Sequence, residues 1–232
     1  MKIPHSLTAK GLGLTCIAIA LSSSALAETK KVEKGEKPAA SPGWLVIEEN
    51  FWVPWRYEPF DWFHNAQTHY RDQEEKAAAS ELRKAESWLN FAAGHALPMT
   101  KKSLEESAKD LEALAVDLDN GKVHHAANLD SALAKANRAL AEWHYFKADE
   151  SLARSEESDA AMNLQAAARY LRNAADSAKL EYGDEFVTVY DELSGWKESE
   201  PIPNTLKDKL ATIKGELDKL SGTLKKDAKV KE

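Results

Sequence analysis

Between Lys122 and Tyr182 the chain contains neither glycine nor proline, and no other feature of the sequence limits the fold as strongly. The two residues that most often punctuate secondary structure are missing there, while apolar positions return every three or four residues. Leu129, Leu133, Ala136, Leu140 and Trp143 follow one another at 4-3-4-3, and Ala160, Leu164, Ala167, Leu171, Ala174 and Ala178 at 4-3-4-3-4. That period marks one buried face of a helix. As a single helix the stretch would be about 90 Å long at roughly 1.5 Å per residue, more than a compact domain can bury. The apolar pattern lapses across residues 154–159, so a turn is expected there with Ser158 as the next N-cap.

The same spacing extends in both directions. Upstream, Ala78, Leu82, Ala85, Leu89, Ala92 and Ala96 define a helix expected to start from an Asp61 cap and to end at Leu97-Pro98. Leu104, Ala108, Leu111, Ala115 and Leu118 define the next, with Ser103 and Glu106 at capping-box spacing and Asn120-Gly121 as its stop. Downstream, the pattern allows a continuation past Gly183 through Phe186, Val189 and Leu193. Pro201 and Pro203 then precede a last helix carrying Leu206, Leu210, Ile213, Leu217, Leu220 and Leu224. Alternating spacing with short connections predicts antiparallel helices. The expected fold is all-α, an up-down-up-down four-helix bundle over residues 64–196 with a fifth, C-terminal helix over 197–224. That last seam fits packing against the bundle, or a homodimer through the C-terminal helix.

Residues 44–63 differ in character. Eight of the nineteen aromatic side chains fall in this stretch, and Pro54 and Pro59 argue against a regular helix through it. The expectation is an N-terminal aromatic extended strap, with a short strand near residues 45–47. It either closes the open side of an alanine-rich bundle or binds a protein partner or an apolar ligand. Trp52, Trp55, Arg56, Tyr57 and Trp62 are the candidate partner-binding residues, because interfaces favour Trp, Tyr and Arg.

The first 27 residues have the parts of a secretory signal. Lys2 and Lys10 precede an apolar run from Gly11 to Leu21, and Ala25-Leu26-Ala27 fits the small-residue cleavage pattern. The run is about eleven residues, short of the roughly 20 needed to span a bilayer. The chain is therefore expected to be cleaved after Ala27 and to be periplasmic or secreted, with a flexible leader over 28–43 and a disordered tail over 225–232. No transmembrane segment is expected in the mature chain. Losing Lys2 and Lys10 takes the net charge from −7 to −9, which argues against nucleic acid as a partner. The single cysteine, Cys16, leaves with the signal, so disulfides, Cys-based zinc sites and covalent haem attachment are excluded.

Catalytic signatures are missing: there is no GxSxG, HExxH, P-loop or GxGxxG. The loop from Asp117 to Gly121 has its glycine one position early for an EF-hand and Asn128 where a Glu is needed. Glu-x-x-His pairs of the di-iron type fail at Glu142/His144 and at Glu81. The expectation is a non-enzymatic exported helical-bundle binding or interaction protein of the cell envelope, with no cofactor. The alternative is a periplasmic metal or non-covalent haem-binding bundle. A hairpin at Asn120-Gly121 would bring His144 level with His95, near Glu142 or Gln165, and two His with a carboxylate can hold a transition metal or, without a covalent link, a haem.

Overall fold

A computed structural model describes the backbone of residues 49–123 and 125–230 and the side chains of 59–123 and 125–224. All lie within the unit Pro42–Glu232. The described residues form seven helices and no strand: α1 (Glu49–Arg71), α2 (Glu75–Gly94), α3 (Pro98–Asp119), α4 (Ala126–Ala153), α5 (Glu157–Ala178), α6 (Asp184–Gly195) and α7 (Leu206–Val230). The all-α expectation holds. No helix among the described residues is long and apolar enough to cross a membrane. The expected signal, the leader and residues 44–48 of the strap lie outside the described residues.

The seams read from sequence are the buried faces. Leu82, Ala85, Leu89 and Ala92 of α2, Leu104, Leu111 and Leu118 of α3, Leu133, Ala136 and Leu140 of α4, and Leu164, Ala167 and Leu171 of α5 are all essentially inaccessible to solvent. Polar pairs between helices fix their directions. Arg83 Nη2 donates to Asp119 at 2.7 Å and Arg83 lies 3.4 Å from Glu112, while Glu75 at the start of α2 lies beside Gly121 just past the end of α3, so α2 and α3 are antiparallel. Lys135–Asp110 at 2.8 Å and Ser103–Glu142 at 3.4 Å do the same for α3 and α4. For α4 and α5 the pairs are His144–Asn163 at 3.0 Å and Asp130–Lys179 at 3.8 Å. Alanines at Ala136, Ala139, Ala160 and Ala167 are all fully buried, and α4 and α5 share the most extensive contact of any helix pair among the described residues.

Several expectations are corrected. Residues 49–63 are not an extended strap but the first two thirds of α1, which runs through both Pro54 and Pro59. Each interior proline removes a backbone hydrogen bond and costs about 3 kcal/mol. The helix persists because Pro59, Phe63 and Ala66 are buried and Phe60, Trp62 and Tyr70 pack against the core. Asp61 is accordingly inside a helix and caps nothing. The expected helix from 61 to 96 is two, separated at residues 72–74, where Gln73 takes a left-handed φ of 63°. α3 starts at Pro98, whose ring suits the first helical position, so Ser103 lies within the helix and its Oγ donates to the Thr100 carbonyl at 2.9 Å.

The turn expected at 154–159 is present, with Glu156 rather than Ser158 at the N-cap of α5. The helix does not continue past Gly183: Lys179 turns left-handed and α6 begins anew at Asp184. α7 runs through the expected tail as far as Val230, since no Pro or Gly follows Gly222. Its seam is occupied within the chain. Leu206, Leu210, Ile213, Leu217 and Leu220 are buried against α4, α5 and α6, and Arg138 Nη1 donates to Ser221 at 2.6 Å.

Candidate functional site

Where α1, α4 and α5 meet, their inner faces are polar as well as apolar. α1 contributes Phe60, Phe63, His64 and Gln67, α4 contributes Asp130, Leu133 and Asn137, and α5 contributes Asn173, Asp176 and Ser177, around a cleft of about 330 Å³. Asn137 is only 2% exposed. Its Nδ2 donates to the Leu133 carbonyl one turn earlier at 2.9 Å, which leaves Oδ1 as the atom without a partner. Across the cleft, Nδ2 of Asn173 is also buried and unpaired. A buried amide atom left unsatisfied costs about 1–3 kcal/mol, so two of them around one opening need a reason.

The carboxylates of the cleft are already engaged. Asp130 Oδ1 accepts from Gln67 Nε2 at 3.4 Å, and its Oδ2 lies 3.8 Å from Lys179. Asp176 accepts from the Tyr182 hydroxyl and lies 3.8 Å from Arg172 Nε. Burial, and then the bond to Asp176, push the Tyr182 phenol well above the ordinary tyrosine range. The Arg169 guanidinium covers the Phe60 ring at 4.5 Å. The cleft is therefore edged by carboxylates that have cations nearby and by the polar side chains of His64, Gln67 and Ser177, with the two unpaired amide atoms buried behind its surface.

The residues singled out by sequence are distributed otherwise. Trp52, Trp55, Arg56 and Tyr57 stand on α1, and their side chains lie outside the described residues. Trp62 is half-buried and packs against the core. His95 caps the C-terminal end of α2, half-buried, with Nδ1 2.9 Å from the Phe91 carbonyl. His144 is buried in the middle of α4, its Nδ1 bonded to Asn163 at 3.0 Å and its ring stacked on Tyr170 at 5.7 Å. A run of ring contacts leads from one histidine to the other. It passes from His95 to Phe91 at 4.5 Å, Phe91 to Trp88 at 6.3 Å, Trp88 to Trp143 at 5.6 Å and Trp143 to His144 at 4.7 Å. Glu142 pairs with Arg138 at 3.3 Å, and Gln165 Nε2 donates to the Leu193 and Trp196 carbonyls. Among the described residues no group of three His, Cys, Asp or Glu side chains is placed to hold a metal.

Sequence reasoning passed over Asn137 and Asn173. The available signal was that each adjoins a seam alanine, Ala136 and Ala174, so each stands at the margin of a buried face where a polar side chain cannot easily reach water. Comparison of the chain with known protein families, with curated proteins and with solved structures gives no match.

Proposed function

We propose that this chain is an exported, non-enzymatic binding protein of the cell envelope, cleaved after Ala27, and that its ligand seat is the cleft between α1, α4 and α5. The reading rests on one observation: Asn137 and Asn173, each carrying a buried amide atom without a partner, are both among the residues around this cleft. Concave sites with a few convergent polar groups on carbon walls are the usual form of a small-molecule seat. α2 to α5 serve as an up-down-up-down four-helix scaffold, a reading supported by the antiparallel polar pairs between successive helices. α1 lies against α2, α4 and α5, and Trp52, Trp55, Arg56 and Tyr57 in its N-terminal part remain the residues proposed to bind a protein partner or an apolar ligand.

The alternative is a metal or non-covalent haem held by His95 and His144; the ring contacts between them run through Phe91, Trp88 and Trp143 and do not themselves join the two imidazoles. A native mass spectrum of the exported protein, purified without chelator, separates the two. The expected mass is that of a chain starting at Glu28 plus a small organic molecule, and the Asn173→Leu variant carries the bare mass. Added mass equal to a metal or a porphyrin, lost when His95 and His144 become Ala, would replace the proposal with the alternative.

A further inference from the structure

We infer that Asn120 is a site of spontaneous covalent modification, conversion to aspartate and isoaspartate through a cyclic imide, and that the turn between α3 and α4 sets its rate. Asn120-Gly121 is the only Asn-Gly pair in the chain, and both residues are exposed. In the reaction the backbone nitrogen of Gly121 loses its proton and attacks Cγ of Asn120. The new bond closes a five-membered ring, the bond from Cγ to Nδ2 breaks, and ammonia leaves. Water then opens the ring at either carbonyl, so no oxidant or cofactor is needed. A side chain on the following residue crowds this closure, and glycine has none. Every other asparagine with a described side chain precedes a residue that has one, and all but Asn204 stand inside helices.

The folded turn holds the reacting groups apart. The ring closes only when the Gly121 nitrogen eclipses Cβ of Asn120 about the Cα–C bond. The observed ψ of 3° eclipses it with the residue's own backbone nitrogen instead. The Gly121 N–H is donated to the Leu118 carbonyl at 3.0 Å, and Nδ2 of Asn120 donates to the Val116 carbonyl at 2.7 Å. Reaction therefore needs the turn to open, and openings at exposed helix ends are among the least costly motions of a fold. The product opposes reclosure. It has no amide to offer Val116, and it puts a carboxylate at the negative end of α3. Asp119 is its neighbour in the chain, and Oε2 of Glu75 lies 3.7 Å from where a Cβ on Gly121 would stand. Isoaspartate also adds a backbone carbon inside the loop closed by the bond from Lys122 N to the Asp117 carbonyl at 2.9 Å.

The test is to age the full chain in mildly alkaline buffer made with oxygen-18 water, folded and in urea, and to map its peptides by mass spectrometry. Both samples are expected to take up heavy oxygen at Asn120 as a mixture of aspartate and isoaspartate. The folded chain should convert about ten- to a hundredfold more slowly, the factor for a turn that is open roughly a tenth to a hundredth of the time. Asn120→Gln, whose ring closure would be six-membered, should lose the label from this peptide. Asn120→Asp, the unrearranged product, should unfold at lower denaturant than the wild type. No label at Asn120 in the folded chain after about a hundred half-lives of the denatured chain would overturn the site. Equal rates in the two samples would overturn control by the turn, and an Asn120→Asp midpoint at or above that of the wild type would overturn the opposition to reclosure.

Discussion

The hydroxyl of Tyr182 is shared between the Asp176 carboxylate and the Arg172 carbonyl, the latter at 2.9 Å, and this local arrangement has a consequence in bulk stability. Burial and the Asp176 bond both favour the protonated phenol, so its pKa in the fold lies above that in the unfolded chain. The folded state then holds this proton more tightly, and the contribution is complete below the ordinary tyrosine pKa of about 10 and is lost as pH rises beyond it. Denaturant midpoints measured against pH should therefore fall more steeply above about pH 10 in the wild type than in Tyr182→Phe. The variant should also be the less stable protein at neutral pH. Parallel pH profiles for the two proteins would show that Tyr182 titrates normally. The residue scale is also where sequence reading was most uneven. A buried leucine declares itself by spacing, because its neighbours three and four positions away are apolar too. Asn137 and Tyr182 do not, because what they do depends on Leu133 or Asp176 standing within bonding distance, and only Leu133 stands one helical turn from its partner in the chain.

Helix ends show which part of the architecture a sequence conceals. Four of the helices close with the same pair of backbone bonds. After α1, Gln73 N donates to Tyr70 and Glu74 N to His69; after α3, Gly121 N donates to Leu118 and Lys122 N to Asp117. The ends of α4 and α5 repeat the pattern at Ser155 and Lys179, and the residue at the turn has positive φ in all four. This is the closure normally made by glycine, yet only Gly121 is one. The turn at Gly121 is accordingly legible, whereas those at Gln73 and Lys179 give no signal, so the sequence pattern runs a helix from Asp61 through Gln73 and allows one past Lys179. Ser155 was located only because the apolar seam lapses there. A non-glycine residue in this conformation costs roughly 1–2 kcal/mol, part of which glycine forfeits through its larger unfolded-state entropy. Gln73→Gly should thus raise unfolding free energy by about 0.5–1 kcal/mol. Gly121→Ala should lower it by about 1 kcal/mol, both read from denaturant midpoints at neutral pH. A destabilised Gln73→Gly protein would mean that α1 and α2 are not separated by this turn.

At the scale of the whole molecule, the question is whether seven helices behave as one body. The buried apolar cluster is contiguous from Phe63 on α1 to Leu220 on α7, and α7 lies against α4, α5 and α6. The sequence had left the partner of the last seam open between this chain and a second copy. A single uninterrupted core of this kind favours all-or-none unfolding. Ile213, with no solvent exposure, sits in the middle of the α7 seam, and an Asp there buries a charge without a partner. Ile213→Asp should cost about 4 kcal/mol or more. Because the core is shared, the loss should move the circular dichroism and tryptophan fluorescence transitions together, since Trp88 and Trp143 lie in the cluster on α2 and α4 and Trp196 borders α6. A helix that merely leaned on the bundle would give a different result. Part of the helical signal would then be lost at low denaturant, with the fluorescence midpoint unmoved, and the seven helices would have to be treated as a stable core carrying a detachable arm.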